Sequence, residues 1–136
     1  MEIREERAWL LRSRINPVPI PGVLSLTDGR IRFELDPEAD PQSLDWLERQ
    51  LGVQGIAEKL ERGESVFAFD HPLSECAVSW PLTGGGAMMV VRAPTGRKWV
   101  ISGEEPSGGK VPRPRTTRPG QRRARDWKRA LADAGA

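Results

Sequence analysis

Short apolar stretches separated by turn residues predict an α+β fold that is mainly β and is built on an antiparallel sheet. The first half contains a hairpin pattern at residues 24–35, and the second half contains several strand-like stretches joined by Gly and Pro turns. Between them, residues 41–62 have the apolar spacing of helices, which predicts a helical pair inserted between strands. The length of 136 residues suits one domain with an appendage.

The stretch LSLTDGRIRFEL, residues 24–35, predicts a tight β-hairpin. Its central Asp-Gly pair suits a two-residue type I′ turn, in which both central residues have positive φ. That turn pairs Leu26 with Ile31. Two residues further from the turn it pairs Leu24 with Phe33, so the apolar side chains share one face and the polar ones share the other. Turn chemistry and hydrophobic pattern therefore predict the same register.

The segments before the hairpin give weaker signals. Residues 1–15 fit either a helix or a strand, and we favour a strand after a frayed start. Residues 16–22 contain prolines at alternate positions. Because proline fixes φ and removes an amide donor, this stretch is predicted to be an extended edge segment or linker rather than a central strand.

The helical pair begins at Asp40 and Pro41, which suit the N-cap and the first helical position. A leucine stripe follows, and a shorter helix is predicted over residues 56–62. The stripe comprises Leu44, Leu47 and Leu51. The stretches ESVFAFD, LSECAVSW, AMMVVRA and RKWVIS then predict a meander of strands, the last two joined by a Pro-Thr-Gly hairpin loop.

Charge is distributed unevenly along the chain. Residues 1–105 contain 12 Lys/Arg and 17 Asp/Glu, a net charge of −5, whereas residues 106–136 contain 9 and 2, a net charge of +7. Residues 104–121 are rich in proline, glycine and arginine, which predicts a disordered basic linker between a body of residues 1–103 and a short amphipathic helix over 122–136. Trp127, Leu131 and Ala134 share one face of that helix.

The N-terminus lacks the unbroken apolar stretch of a signal peptide, and no stretch approaches the roughly 20 apolar residues that span a bilayer. We therefore expect a cytoplasmic protein without a transmembrane segment. A single cysteine, Cys76, agrees with a reducing compartment. Four of the five tryptophans lie in the body; core packing is favoured at Trp46, Trp80 and Trp99. Trp127 could dock on the body, meet a partner or stay exposed.

No stretch predicts a catalytic, cofactor or metal site. Asp70, His71, Glu75 and Cys76 lie close in sequence, but His71 and Cys76 are five residues apart and would point to opposite faces of one strand. We interpret Cys76 as a small half-buried hydrophobe and His71 as a strand-edge residue. One His and one Cys also lack the ligand spacing of a zinc site. We expect neither an enzyme nor a cofactor.

The basic tail is the candidate binding segment, with affinity for the phosphate backbone of nucleic acid or for an acidic membrane surface. The alternatives are solubility or attraction to the chain's own acidic body. Its predicted anion-binding residues are Arg113, Arg115, Arg118, Arg122, Arg123, Arg125, Lys128 and Arg129.

Within residues 9–103, three stretches of the body have a recognisable pattern: PGVLSLTDGRIRFEL, FDHPLSECAVSWP and MMVVRAPTGRKWVIS. In these stretches the body resembles bacterial pleckstrin-homology-like domains of the GRAM type. The resemblance implies a strongly bent antiparallel sheet or small barrel, with the C-terminal helix as its cap and the helices of 41–62 as an insertion. It also implies a non-enzymatic binding or adaptor module whose ligand is either a protein partner or an anionic surface. The alternative is a nucleic-acid-associated protein that binds through its tail.

Overall fold

The computed structural model describes residues 4–11, 19–80, 88–103 and 118–133. These residues form seven β-strands and three α-helices, together with one turn of 3₁₀-helix at Leu73–Glu75. The strands are β1 (Arg4–Leu11), β2 (Ile20–Thr27), β3 (Arg30–Leu35), β4 (Phe67–Pro72), β5 (Ala77–Ser79), β6 (Met88–Arg92) and β7 (Lys98–Ser102). The helices are α1 (Pro41–Leu51), α2 (Ile56–Glu61) and α3 (Arg118–Asp133).

All seven strands of the described residues belong to one antiparallel sheet, in the order β4-β3-β2-β1-β7-β6-β5. Two meanders, β1 to β4 and β5 to β7, meet where β1 pairs with β7 through Leu10 and Ile101. The mainly β, α+β prediction is confirmed. The sheet ends in two edges, β4 and β5, so within the described residues it is not a closed barrel.

The sheet is strongly bent. Strands β4 and β7 are four ladder steps apart, which is about 19 Å in a flat sheet at ~4.8 Å per step. The ring centroids of Phe69 on β4 and Trp99 on β7 nevertheless lie 5.7 Å apart. The face that carries these two rings and Phe33 is therefore concave, and we name it the inner face.

The first hairpin has the predicted turn and register. Asp28 and Gly29 have φ values of 52° and 73°, the left-handed conformation that a type I′ turn requires. Across the ladder, Leu26 pairs with Ile31. Leu24 and Phe33 pair as predicted, and both are fully or almost fully buried.

The prediction for residues 16–22 is wrong at its end, because Pro21 lies in β2, a strand flanked by β1 and β3. The Pro21 carbonyl accepts a hydrogen bond from the Asp36 amide at 3.0 Å, on the β3 side. The amide that proline lacks would face the same side. Since β3 ends at Leu35, the missing donor removes no further bond from that ladder. Residues 16–18 lie outside the described residues.

The inserted helices form where they were predicted. Asp40 is the N-cap of α1, and the helix ends at Gly52, which has a φ of 69°. Leu44 and Leu47 are buried, and Leu51 is half-buried against the same core. Helix α2 buries Ile56 and Leu60 in the same core, so both helices, which lie between β3 and β4 in sequence, cover part of it.

The stretch LSECAVSW is only partly a strand, which corrects the prediction. After Pro72 the chain makes the 3₁₀ turn, and only Ala77–Ser79 pair with β6. Leu73 is buried, and its amide donates to the Gly29 carbonyl at 2.8 Å. This contact fixes the turn against the first hairpin, which a strand continuing past Pro72 would not allow.

Helix α3 packs against the sheet. Trp127 and Leu131 are 5% and 3% exposed and belong to the core cluster. The Trp127 indole N–H donates to the carboxylate of Glu6 on β1. Of the three fates left open for Trp127, docking on the body is therefore observed. No helix of the described residues is long and apolar enough to cross a membrane.

Helix α3 begins at Arg118, four residues before the predicted start, so residues 118–121 are helical rather than linker. The Pro-Gly pair that follows Arg118 does not prevent this early start. Proline is tolerated in the first helical turn, because the amide that it lacks has no partner within the helix there. Residues 104–117, the rest of the predicted linker, and Ala134 lie outside the described residues.

Candidate ligand-binding cleft

Two pairs of side chains at alternate positions meet across the bend of the sheet. On β4, Phe69 and His71 are two residues apart and point to the inner face, as side chains i and i+2 of a strand do. Arg97, which immediately precedes β7, and Trp99 form the second pair. The bend brings the two pairs together, although Phe69 and Arg97 are 28 positions apart in sequence.

Aromatic rings form the floor between the two pairs. Phe69 stacks on Trp99 with an interplanar angle of 27°, and each side chain is 4% exposed. The His71 ring lies nearly parallel to Phe69, at 5° and a centroid distance of 6.5 Å. Phe33 stacks on Phe69 from β3 at 6.2 Å. The floor is therefore part of the main core, which holds its rings in place.

Arg97 is held above this floor by two uncharged groups. Its guanidinium carbon lies 5.6 Å from the centre of the Trp99 ring, within the range of a cation–π contact. Its Nη1 donates to Gln50 Oε1 at 2.8 Å. Gln50 lies in the last turn of α1, so the inserted helix supplies the group that orients the guanidinium. Both contacts fix Arg97 without neutralising its charge.

These side chains line a cleft of about 640 Å³ between β4, the start of β7 and the end of α1. No aspartate or glutamate is among the described residues that line it, although the body as a whole is acidic. The cleft therefore combines an aromatic floor with cationic and amide groups. Its lining residues are Gln50, Leu51, Ala68, Phe69, His71, Thr95, Arg97, Lys98 and Trp99.

The opposite face of the same strands, which we name the outer face, has a different electrostatic arrangement. Asp70 Oδ1 accepts hydrogen bonds from Arg30 Nε at 2.8 Å and from Arg32 Nε at 3.2 Å. Partial burial alone would raise the pKa of the Asp70 carboxyl, but the Arg30 hydrogen bond and the charges of Arg32 and Arg30 together lower it. On the outer face, the Asp70 carboxylate therefore compensates the charges of Arg30 and Arg32.

His71 and Cys76 lie in separate environments, but not on one strand as predicted, because β4 ends at Pro72 and the 3₁₀ turn precedes Cys76. His71 is in the edge strand β4 opposite Ile31, and Cys76 is half-buried beyond the 3₁₀ turn. Burial, and to a smaller extent the charge of Glu75, raises the pKa of the Cys76 thiol, which disfavours the reactive thiolate. Among the described residues, no group of three or more His, Cys, Asp and Glu side chains could hold a metal ion.

The predicted anion-binding residues of the tail are described only in part. Arg113 and Arg115 lie outside the described residues, and Arg118, Arg122 and Arg123 lie on α3. The remaining three are exposed on α3, and the ammonium group of Lys128 lies 5.2 Å from the centre of the Trp80 ring. These three are Arg125, Lys128 and Arg129. Their role in binding anions stays a prediction.

Sequence reasoning did not predict the cleft residues as a site. The alternation of Phe69 with His71, and of Arg97 with Trp99, is a readable signal that each pair shares a face of its strand. No sequence pattern shows that the two pairs face each other, because that contact depends on the bend of the sheet. The sequence places Gln50 only near a helix end, and its role depends on where α1 packs.

Comparison with known proteins supplies no relative from which a function could be transferred. The chain matches no protein-family model, no curated protein and no solved structure. Its function is therefore inferred from the geometry and chemistry of its own residues.

Proposed function

We propose that this chain is a non-enzymatic binding module of pleckstrin-homology-like, GRAM-type fold. Two antiparallel meanders in one strongly bent sheet support this assignment. The C-terminal helix adds support, because Trp127 and Leu131 pack into the core of the sheet as a capping helix would. The helices α1 and α2 are an insertion between β3 and β4 that contributes one wall of the cleft.

The cleft is the observation that carries the proposed function. Small-ligand sites are typically concave, with apolar or aromatic walls and a few oriented polar groups. The cleft has this composition, with Phe69 and Trp99 as its floor and Arg97 fixed by Gln50 at its wall. A guanidinium has five N–H donors and no acceptor, so Arg97 suits ligand binding better than proton abstraction.

The proposal predicts that ligands occupy the cleft without being converted. Two-dimensional amide NMR of the full chain with a mixed library of charged and neutral small molecules should shift the resonances of the cleft residues. Thr95→Trp places an indole at the mouth of the cleft and should abolish these shifts. Thr27→Trp, beside the other hairpin turn, is the matched control and should preserve them. Shifts confined to other regions, or chemical turnover of a bound compound, would contradict the proposal.

Nucleic-acid association through α3 is a second candidate function. Trp127 and Leu131 face the core, whereas Arg125 and Arg129 on the same helix are exposed. The helix is thereby anchored with cations on its outward side, an arrangement that suits contact with phosphates.

This second function predicts binding to mixed-sequence DNA or RNA that weakens steeply with salt. Arg125→Gln combined with Arg129→Gln should reduce the slope of log K against log salt by about 1 for each phosphate that the double variant no longer neutralises. Arg92→Gln is the matched control on the β6 strand. Removal of the whole tail is unsuitable, because it would also remove Trp127 from the core. An unchanged slope in the double variant would exclude this role for α3.

A further inference from the structure

We infer that the cleft binds its ligand through an oxyanion, a carboxylate or a phosphate, which Arg97 holds against the aromatic floor. This inference rests on the proposed binding function and specifies the chemistry of the bound group. It arises from the charge of the cleft, from the fixed position of Arg97 and from the size of the space.

The charge of Arg97 is uncompensated within the described residues of the cleft. A guanidinium has five N–H donors, and the contacts of this one are to the Gln50 amide oxygen and the Trp99 ring, both uncharged. On the outer face, by contrast, Arg30 and Arg32 share the Asp70 carboxylate. A carboxylate or phosphate of a ligand would form with Arg97 the kind of ion pair that Asp70 forms with Arg30 and Arg32.

Arg97 is also fixed in position before any ligand arrives. An arginine free in solvent loses side-chain entropy when it is immobilised by a ligand, and this loss weakens binding. The hydrogen bond to Gln50 and the contact with Trp99 already restrict the guanidinium. The buried rings beneath it also lower the local dielectric, which strengthens a charge-assisted hydrogen bond.

The dimensions of the cleft indicate that the ligand is larger than an inorganic ion. A volume of about 640 Å³ lies within the usual range for small organic ligands, roughly 300–1,000 Å³. The oxyanion is therefore expected to be attached to an organic body. Thr95 and His71 line the same space and can donate hydrogen bonds to that body or accept them from it.

Isothermal titration of the full chain with three probes of similar shape tests this chemistry. Benzoate and phenyl phosphate carry an oxyanion on an aromatic ring, and benzyl alcohol is their neutral counterpart. At least one anion is expected to bind about 10-fold more tightly than the alcohol, because charge-assisted hydrogen bonds are the stronger class. The preferred anion identifies the oxyanion. Vesicles of phosphatidylcholine with and without phosphatidic acid then distinguish a lipid source from a soluble one.

Gln50→Glu is the decisive variant because it replaces an amide with a carboxylate of the same shape. The new carboxylate pairs with Arg97 as Asp70 pairs with Arg30, and anion affinity should fall about 10-fold or more while affinity for benzyl alcohol is unchanged. Arg97→Gln should lower anion affinity in the same way. Arg92→Gln, on the strand paired with β7, is the matched control and should bind like the unmodified chain.

Equal affinity of the unmodified chain for benzyl alcohol and both anions would overturn the oxyanion inference while leaving cleft binding intact. Retention of anion affinity by Gln50→Glu would also overturn it. Absence of binding at the cleft by all three probes and by the mixed library would instead refute both the inference and the proposed function. Thermal unfolding of each variant verifies that a loss of binding does not reflect a loss of fold.

Discussion

Arginine side chains on the two faces of the bent sheet have different partners. On the outer face, Arg30 and Arg32 share the Asp70 carboxylate, so each cation has an anionic partner within the chain. On the inner face, the Arg97 guanidinium contacts the neutral Gln50 and Trp99, and no carboxylate is among the described residues that line the cleft. All three side chains are cations, but of the three, Arg97 is the one without a carboxylate partner among the described residues.

Whether an arginine can bind an anionic ligand therefore depends more on its partner within the chain than on its exposure to solvent. The side chains of Arg30 and Arg32 are 38% and 35% exposed, yet their carboxylate partner leaves little attraction for a ligand. Glu6, on the helix-facing side of β1, is engaged by the Trp127 indole of α3. Three substitutions test these assignments.

Trp99→Ala should have the largest effect, because it removes the ring that supports both Phe69 and Arg97. The free energy of unfolding should fall by about 3–5 kcal/mol, as for other large buried aromatic residues replaced by alanine. Urea denaturation measures the change, and Val53→Ala, at a side chain that is 45% exposed, is the control with an expected change under about 0.5 kcal/mol. A loss under about 1 kcal/mol at Trp99 would mean that the inner face does not depend on this ring.

Trp127→Phe should have an intermediate effect. It keeps an aromatic ring in the core but removes the indole N–H that donates to Glu6, and the expected loss is about 1–2 kcal/mol. Hydrogen exchange of the α3 amides should become faster as the helix opens more often. A double-mutant cycle with Glu6→Gln measures the coupling directly. A coupling energy of zero would show that the indole and the carboxylate do not interact.

Asp70→Asn should have the smallest effect on stability, under about 1 kcal/mol at neutral pH, because the carboxylate is 33% exposed and screened by solvent. The pKa of Asp70 is lower in the folded chain than in the unfolded chain, so its stabilisation is present above the unfolded pKa and is lost as pH falls through the folded pKa. The difference between the variant and the unmodified chain should therefore be constant from about pH 5 to 7. It should shrink below about pH 4.

Denaturation at pH 7 and at pH 3 checks this dependence, with Asp45→Asn as the control. Asp45 pairs with Arg49 on the exposed side of α1, where both side chains are more than 60% exposed, and its replacement should change stability little at either pH. A deficit of Asp70→Asn that grows as pH falls would contradict the assigned pairing with Arg30 and Arg32.

Features that depend on residues near in sequence were predictable from the amino-acid order. The Asp-Gly turn requires positive φ at two adjacent positions, and the alternation around it then sets the pairing of Leu24 with Phe33. Helix α1 likewise follows from Pro41 in its first turn, the leucine stripe and Gly52 at its end. In these elements the backbone preference and the hydrophobic pattern act within one or two turns of chain, so they can be read locally.

Features that depend on the bend of the sheet required the tertiary structure. Pro21 is tolerated in a central strand because β3 ends beside it. Helix α3 docks through Trp127, which packs in the core and donates a hydrogen bond to Glu6. The cleft has the same origin, since Phe69 and Arg97 meet through a curvature that accumulates over four ladder steps. Local sequence determined the first hairpin and helix α1, whereas the packing of side chains determines how far the sheet bends and which residues come together.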